Sequence, residues 1–273
     1  MKRIKKLLFI SLSLLVLLAC SLGGAKATEE PPVVLEIPTL AALPQEAPTL
    51  PPPPPVEETV VEAQPEVPEP TPTEVSFDAA SATWKEFVTA GDKSREFFFQ
   101  TGRRVIFELP SAETYSYVFA EDVSFGDVYV ETEVETVKAD RNGIALICRH
   151  SDQGWYELRI ATRGIETGSY QLYRYDPDLL ARKQVPYVNL LKNMTKVNTP
   201  DIINGLLKIN TIGFSCKGEE LRVFINGVEQ LPPDKRVVTD NRLKEGSVGM
   251  GAMSFGNGPV QIEFLLDSYT ATE

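Results

Sequence analysis

The C-terminal part of the chain alternates apolar and polar residues with a period of two. Between positions 128 and 137, Val128, Val130, Thr132 and Val134 alternate with Tyr129, Glu131, Glu133 and Glu135. This period is typical of a β-strand with one buried face. A shift of the register by one residue would bury the three glutamates, so the register of this strand is well determined.

The same pattern recurs along the rest of the chain. The dipeptide Asn226-Gly227 lies between two apolar segments and predicts a hairpin turn, because both residues tolerate a positive φ. One short helix is expected near 178–183. Strands at this spacing, separated by turns, predict an all-β fold made of a two-sheet antiparallel sandwich. Further strands are predicted at 144–149, 155–161, 170–175, 207–216, 221–225, 247–254 and 260–268.

Several of these strands resemble one known family. The region from about Phe119 to Thr272 is similar to the concanavalin A-like lectin/glucanase family, which implies a jelly roll. Lectins, hydrolases, lyases and adhesion modules all use this fold, so the resemblance does not select among them. The matching stretches are 143–149, 154–160, 210–218, 221–227, 240–246, 248–250 and 260–267.

The N-terminus has the layout of an export signal, with a basic start followed by an apolar stretch at 7–18. This stretch is shorter than the roughly twenty residues that span a bilayer. The sequence Leu17-Leu18-Ala19-Cys20 resembles the lipobox of bacterial lipoproteins, which implies a signal peptide at 1–19 and fatty acylation of Cys20, for example by palmitate. The protein is then extracytoplasmic and anchored to the cell membrane or cell surface. The alternative is an ordinary signal peptide cleaved near Ala19.

Residues 20–75 are predicted to form a disordered stalk that begins at the lipidated cysteine. Fourteen prolines lie between 31 and 72, five of them in a row at 51–55, and glutamates are frequent among them. Proline prevents helix or sheet from propagating, so an extended chain of at most about 3.1 Å per residue is expected. The alternative is a ligand for a proline-recognising module. The remaining residues, 76–273, form the sandwich domain.

The charge of the chain limits its partners. The formal net charge is −11, and no basic cluster follows the signal peptide. Nucleic acids and anionic lipid surfaces attract basic proteins, so neither is expected as a partner.

Two cysteines remain when Cys20 is acylated. Cys148 and Cys216 lie at the ends of predicted strands, and an exported compartment permits their oxidation. We expect a structural disulfide between them; the alternative is two buried free thiols. The sole histidine, His150, lies on the same strand as Cys148 and is not held as its catalytic partner.

Glu131, Glu133 and Glu135 are the weak candidates for catalysis. Glucanases of the family cleave with carboxylates in a Glu-x-Asp-x-(x)-Glu arrangement, and here Glu133 replaces the aspartate. The alternative is an ordinary solvated sheet face. Relatives acting on 3-keto-disaccharides are expected to carry several acids, histidines and metal ligands, which His150 alone does not supply. No strong metal-ligand spacing appears elsewhere in the sequence. Asp240 and Asp267 are predicted to be structural, although some relatives bind calcium at such positions.

A binding face is the favoured prediction. If the alternate residues of 155–161 face the core, then Trp155, Glu157 and Arg159 face outward. Tyr173 and Tyr175 are expected beside them, and Arg149 on the adjacent strand. Aromatic rings give sugars a flat apolar platform, while arginine and glutamate supply hydrogen bonds to hydroxyl groups.

The sequence therefore predicts a non-catalytic carbohydrate-binding or adhesion domain that contacts polysaccharide or cell-envelope glycan without a cofactor. The alternative is a glycan-active hydrolase or lyase, either glucanase-like or similar to 3-keto-disaccharide hydrolases. A purely structural envelope protein is a third hypothesis. The long connection at 176–204 either borders a binding cleft or is an insertion of no further role.

Overall fold

The computed structural model describes residues 77–110 and 113–273. The predicted signal peptide at 1–19, the lipidation site Cys20 and the stalk at 20–75 lie outside the described residues. Within the part of the chain that is described, no helix is long and apolar enough to cross a bilayer.

The described residues form strands and one short helix. The strands are β1 (Trp84–Ala90), β2 (Phe98–Thr101), β3 (Arg104–Leu109), β4 (Thr114–Ala120), β5 (Val128–Lys138), β6 (Asn142–Ser151), β7 (Gly154–Ala161), β8 (Ser169–Tyr175), β9 (Tyr187–Asn189), β10 (Val197–Asn198), β11 (Ile209–Lys217), β12 (Glu220–Ile225), β13 (Val228–Gln230), β14 (Val238–Thr239), β15 (Ser247–Ser254) and β16 (Val260–Thr272), and the helix is α1 (Pro177–Ala181).

The strands form two sheets that pack face to face. Sheet A has the order β1-β4-β15-β6-β7-β8-β10, with β9 also paired to β8. Sheet B has the order β13-β12-β11-β5-β16-β3-β2, with β14 also paired to β12. Neighbouring strands pair antiparallel. The predicted all-β antiparallel sandwich is confirmed.

The two sheets bury a common core because each strand turns alternate side chains inward. On β5 the valines at 128, 130 and 134 are buried, whereas the glutamates between them are half-buried, as the alternation predicted. Leu146 and Leu158 of sheet A meet Phe214 and Phe264 of sheet B in this core.

Sheet A differs from sheet B because its central strands are covered on both faces. Every residue of β7 and β15 is buried, and so are the first eight residues of β6. A second apolar cluster therefore covers the outer face of sheet A. Several of the residues that were predicted to bind a ligand lie in or beside this second cluster.

Two local predictions are confirmed. The turn at Asn226-Gly227 has φ values of 50° and 80°, and it joins β12 to β13 as a hairpin. Cys148 of β6 and Cys216 of β11 form a disulfide with their Cα atoms 6.6 Å apart. Because β6 lies in sheet A and β11 in sheet B, this bond links the two sheets across the core.

Candidate functional site

The outer face of sheet A is built mainly from aromatic side chains. Leu158 of β7 packs into the core between the sheets, and its neighbours Glu157 and Arg159 project to the opposite side. We call this outer surface the aromatic face. Its rings belong to Phe87, Tyr115, Tyr117, Phe119, Trp155, Tyr173, Tyr175, Tyr187 and Phe255.

The rings pack against one another in defined pairs. Trp155 stacks on Tyr175 of the neighbouring strand, with ring centres 3.8 Å apart and planes 7° from parallel. Phe87 meets Trp155 edge to face at 5.9 Å and is 42% exposed, so it forms part of the solvent boundary. Aromatic contacts of this kind fix ring positions, so the aromatic face is a rigid surface.

Two glycines on β15 make room for the rings of β4. Gly249 pairs with Phe119, and Gly251 pairs with Tyr117. A Cβ atom at Gly249 would lie 2.7 Å from a ring carbon of Phe119, and a Cβ at Gly251 would collide with the ring of Tyr117. Because β15 has no side chains at these positions, the two rings can lie across it toward β7.

A buried ion pair lies beneath the rings. Glu157 is fully buried, and its Oε1 accepts a hydrogen bond from Nε of Arg159 at 2.7 Å and forms an ion pair with Nη2 at 2.6 Å. Its other oxygen accepts hydrogen bonds from the indole nitrogen of Trp155 and the hydroxyl of Tyr117, both at 3.3 Å. Both carboxylate oxygens of Glu157 therefore accept hydrogen bonds from neighbouring side chains.

Arg159 lies at the centre of three tyrosines. Its Cζ atom is 4.8 Å from the ring centre of Tyr173, 4.9 Å from that of Tyr187 and 5.8 Å from that of Tyr115. Burial by itself lowers the pKa of Arg159, but the adjacent Glu157 carboxylate raises it, so the guanidinium stays charged. The three tyrosines are half-buried, which leaves their outer edges open to solvent.

The connection at 176–204 supplies one of these tyrosines. Tyr187 of β9 has its hydroxyl 2.9 Å from that of Tyr117 and 2.8 Å from Oγ1 of Thr89. Burial raises the pKa values of Tyr117 and Tyr187, and the charge of Glu157 adds to this effect, so both hydroxyls keep their protons. The helix predicted near 178–183 is present as α1, at Pro177–Ala181.

Five of the six predicted binding residues come together, and Arg149 does not. Trp155, Glu157, Arg159, Tyr173 and Tyr175 all belong to the aromatic face. Trp155, Glu157 and Tyr175 are at most 2% exposed and support the surface from below.

The prediction that Arg149 projects beside them is wrong. A bulge interrupts β6 after Cys148, and Arg149 has a φ of 55°, so its side chain leaves the outer face. The Arg149 side chain is 1% exposed, and its guanidinium donates hydrogen bonds to backbone carbonyls at 2.7–3.1 Å. The acceptors are the carbonyls of Gly126, Cys216, Gly218 and Leu243 and the carboxylate of Asp127.

The candidate catalytic glutamates lie on the other sheet. Glu131, Glu133 and Glu135 project from β5 on the outer face of sheet B, with β11 and β16 paired on either side. The hydroxyl of Tyr129 donates to Glu131, and Arg104 lies 3.7 Å from Glu135. The glutamates are half-buried on the sheet surface opposite to the aromatic face.

No group of three or more His, Cys, Asp or Glu residues within 77–110 and 113–273 is arranged to hold a metal ion. The carboxylate of Asp240 accepts a hydrogen bond from Tyr156 at 2.6 Å and pairs with Arg174. Asp267 pairs with Arg103. Both aspartates therefore make protein contacts that hold loops and strand ends in place.

A depression of about 670 Å³ adjoins the aromatic face near His150. The imidazole stacks on Phe119 with ring centres 3.5 Å apart, and its Nδ1 lies 3.3 Å from Oγ of Ser247. Burial lowers the pKa of His150 to about 4, so the ring is neutral at physiological pH.

Protonation of His150 is therefore expected to destabilise the fold in acid. At this position the unfolded chain binds a proton near pH 6.5, and the folded chain binds it only near pH 4. The stability that the neutral His150 ring contributes is therefore fully present above pH 6.5 and is lost as the pH falls from 6.5 to 4. Because the His150 ring is partly exposed, we expect a loss of about 2 kcal/mol in the free energy of unfolding. In His150→Phe the unfolding free energy from urea titrations should fall less between pH 7 and 4.5 than in the wild type; equal losses would contradict this.

The sequence pattern alone could predict only part of this site. Tyr115, Tyr117 and Phe119 follow a period of two that would have identified an aromatic strand face. Tyr187 lies in a connection without periodicity, and only the pairing of β9 with β8 brings it to Arg159.

Comparison with solved structures identifies the fold. The carbohydrate-binding module CBM66 from Bacillus subtilis matches with a TM-score of 0.50 and 12% identity, covering 71% of this chain and 98% of that one. The fold is a concanavalin A-like jelly roll. A β-1,3-1,4-glucanase from a mouse hindgut metagenome (TM-score 0.49, 11% identity, 74% and 99% covered) and the Bacillus licheniformis β-glucanase (0.48, 12%, 72% and 97%) are also similar to this jelly roll. No protein-family model and no curated protein sequence matches the chain.

Proposed function

We propose that this jelly roll is a non-catalytic carbohydrate-binding domain whose ligand lies on the aromatic face. The observation that carries the proposal is the position of Arg159 among three half-exposed tyrosine rings, at 4.8–5.8 Å. Aromatic surfaces pack against the apolar faces of sugars, and half-exposed tyrosines offer hydroxyl groups to sugar oxygens. Arg159 is only 7% exposed and holds the rings from below.

The site is fixed before a ligand arrives. Glu157 holds Arg159, and the chain of hydroxyls from Tyr117 through Tyr187 to Thr89 holds the rings. A preorganised surface loses little conformational freedom on binding, which favours affinity for weakly binding ligands such as glycans.

Binding is favoured over hydrolysis by the state of Glu157. Glycoside hydrolysis uses two carboxyl groups, one as an acid with a raised pKa and one as nucleophile or base. Both oxygens of Glu157 already accept hydrogen bonds from Arg159, Trp155 and Tyr117. A fully buried carboxylate tied in this way positions arginine and does not reach a substrate on the surface.

Tyr173→Ala tests the binding proposal. A glycan array with the full chain should first identify a polysaccharide ligand. Removal of the Tyr173 ring is then expected to weaken binding about twofold to tenfold, because an aromatic contact contributes roughly 0.5–1.5 kcal/mol beyond its area. Isothermal titration calorimetry would measure the change.

Tyr129→Ala is the matched control. Tyr129 is also half-buried, but it lies on the outer face of sheet B beside Phe224. Its removal should leave glycan affinity unchanged. Equal losses in both variants would place the ligand elsewhere, and release of reducing sugar that disappears in Glu131→Gln would support hydrolysis instead.

We also propose that the domain is displayed from a membrane through acylated Cys20 and the proline-rich stalk at 20–75. The support is the lipobox-like sequence Leu17-Leu18-Ala19-Cys20 after a basic and apolar leader. A spacer of this length, at about 3.1 Å per residue, would separate a glycan-binding surface from the lipid headgroups.

The anchor is tested by Cys20→Ser in a bacterial host fed with labelled palmitate. The wild-type chain should incorporate the label and remain with the membrane fraction, and the variant should do neither. Thr28→Ser keeps Cys20 and both other cysteines and serves as the control. Membrane retention of an unlabelled wild-type chain would contradict the proposal.

A further inference from the structure

A separate apolar cavity lies where one edge of sheet A meets one edge of sheet B. Its volume is about 280 Å³, and it opens between the connection from β9 to β10 and the connection from β13 to β14. The charged residues Lys192, Asp234 and Arg236 lie among its exposed lining residues. The apolar part of the lining comes from Leu190, Leu191, Met194, Pro232, Val237 and Val238.

Tyr170 lines a smaller cavity next to it. This cavity has a volume of about 10 Å³ and shares Pro232, Val237 and Val238 with the larger one. Tyr170 projects from β8 between the sheets and is 1% exposed. Its hydroxyl has no hydrogen-bond partner among the described residues.

An unpaired buried hydroxyl is costly, because it loses its hydrogen bonds to water without replacement, at roughly 1–3 kcal/mol. A bound water needs two to four polar partners. The other polar side chains around the small cavity are Arg222, which pairs with Glu220 and Glu229, and Gln230, which donates to Asp201. The cavity therefore offers a trapped water few further partners beyond Tyr170.

We propose that the two adjoining cavities at the sheet edges together bind one small, uncharged, mainly apolar carbonyl compound, such as an aliphatic ketone or ester. The carbonyl oxygen accepts the hydrogen bond of the Tyr170 hydroxyl, and the aliphatic part occupies the apolar cavity. Burial raises the pKa of Tyr170 to about 12, so the hydroxyl remains a donor. The ligand is uncharged because Leu172, Leu221 and Val223 line the small cavity together with Tyr170, and an unpaired buried charge beside them would be strongly disfavoured.

The probe for this site is 2-hexanone, measured by ligand-observed NMR titration of the full chain. The wild-type chain should bind it in a saturable manner, and Tyr170→Phe should bind it about threefold to tenfold more weakly, as expected for one hydrogen bond. Tyr173→Phe is the matched control on the aromatic face and should leave the affinity unchanged. Met194→Trp, which adds a bulky ring to the larger cavity, should abolish binding.

The thermal midpoint of the ligand-free variant gives an independent result. Because Tyr170→Phe removes an unpaired hydroxyl and keeps the ring, it should unfold at the same temperature as the wild type or higher. A lower midpoint would mean that the hydroxyl is already paired and would overturn the proposal. Absence of 2-hexanone binding, or equal affinity of wild type and Tyr170→Phe, would overturn it as well. Glycan binding through Tyr173 is a separate measurement and does not depend on this result.

Discussion

Arg149→Met is expected to lower the free energy of unfolding by about 3–5 kcal/mol, the range for breaking a buried charged network. The side chain donates to four backbone carbonyls and to Asp127, which belong to three separate loops or strand ends. Methionine fills similar volume but donates no hydrogen bond, so these buried acceptors lose their partner. Guanidinium chloride titrations followed by tryptophan fluorescence would measure the loss.

Arg222→Met is the control for this experiment. Arg222 pairs with Glu220 and Glu229 on the surface of sheet B, with about a third of its side chain exposed. Exposed ion pairs contribute roughly 0–1 kcal/mol, so this variant should unfold close to the wild type. An equally small decrease in the free energy of unfolding for both arginine variants would contradict this prediction. It would mean that the carbonyls around Arg149 find other hydrogen-bond donors.

The free energy of unfolding of the double variant Cys148→Ala/Cys216→Ala should be about 4 kcal/mol lower than that of the oxidised protein. The two cysteines are 68 positions apart, and a loop of this length restricts the unfolded chain by that amount on the loop-entropy estimate. Both sulfur atoms are buried in the core, so the alanines add a smaller loss of packing.

Reduction separates these two contributions. Unfolding of the wild-type chain in the presence of a thiol reductant should show the loss from loop entropy alone, while the double variant should be insensitive to reductant. A reduced wild type as stable as the oxidised one would contradict a role of the bond in restricting the unfolded chain.

The sequence predicted β5, β11, β12 and β16 well because these strands of sheet B have one solvent-facing side. The glutamates of β5 and the turn at Asn226-Gly227 fix register and chain reversal, and both features are local. β15 was predicted at its observed bounds of Ser247–Ser254 even though both of its faces are buried, because turn residues lie on either side of it.

The first four strands were not predicted. β4 is nearly all buried, so exposed polar residues do not alternate with buried apolar ones along it, and a period of two is present only in its aromatic residues. β2 has four residues and lies at the edge of sheet B. The resemblance to the lectin/glucanase family began at Phe119 and therefore left β1 to β3 outside it.

The site was predicted as far as strand alternation determines it. Trp155, Glu157 and Arg159 share a face because they are alternate residues of β7. Arg149 was misplaced because a non-glycine residue with φ of 55° reverses the direction of its side chain, and no residue type at this position indicates such a bulge. The rings of Tyr117 and Phe119 can pack beside Glu157 only because Gly249 and Gly251 leave room for them, and these glycines are distant in sequence.

The two dry faces of sheet A have a consequence for molecular recognition. The backbone amides of β6, β7 and β15 are shielded from solvent above and below, so the strands cannot bend or exchange partners without exposing one of two apolar layers. If the aromatic face binds a ligand as proposed, it acts as a fixed template. Selectivity among ligands then depends on which molecules can adopt the complementary shape at low cost, because the protein does not adapt to them.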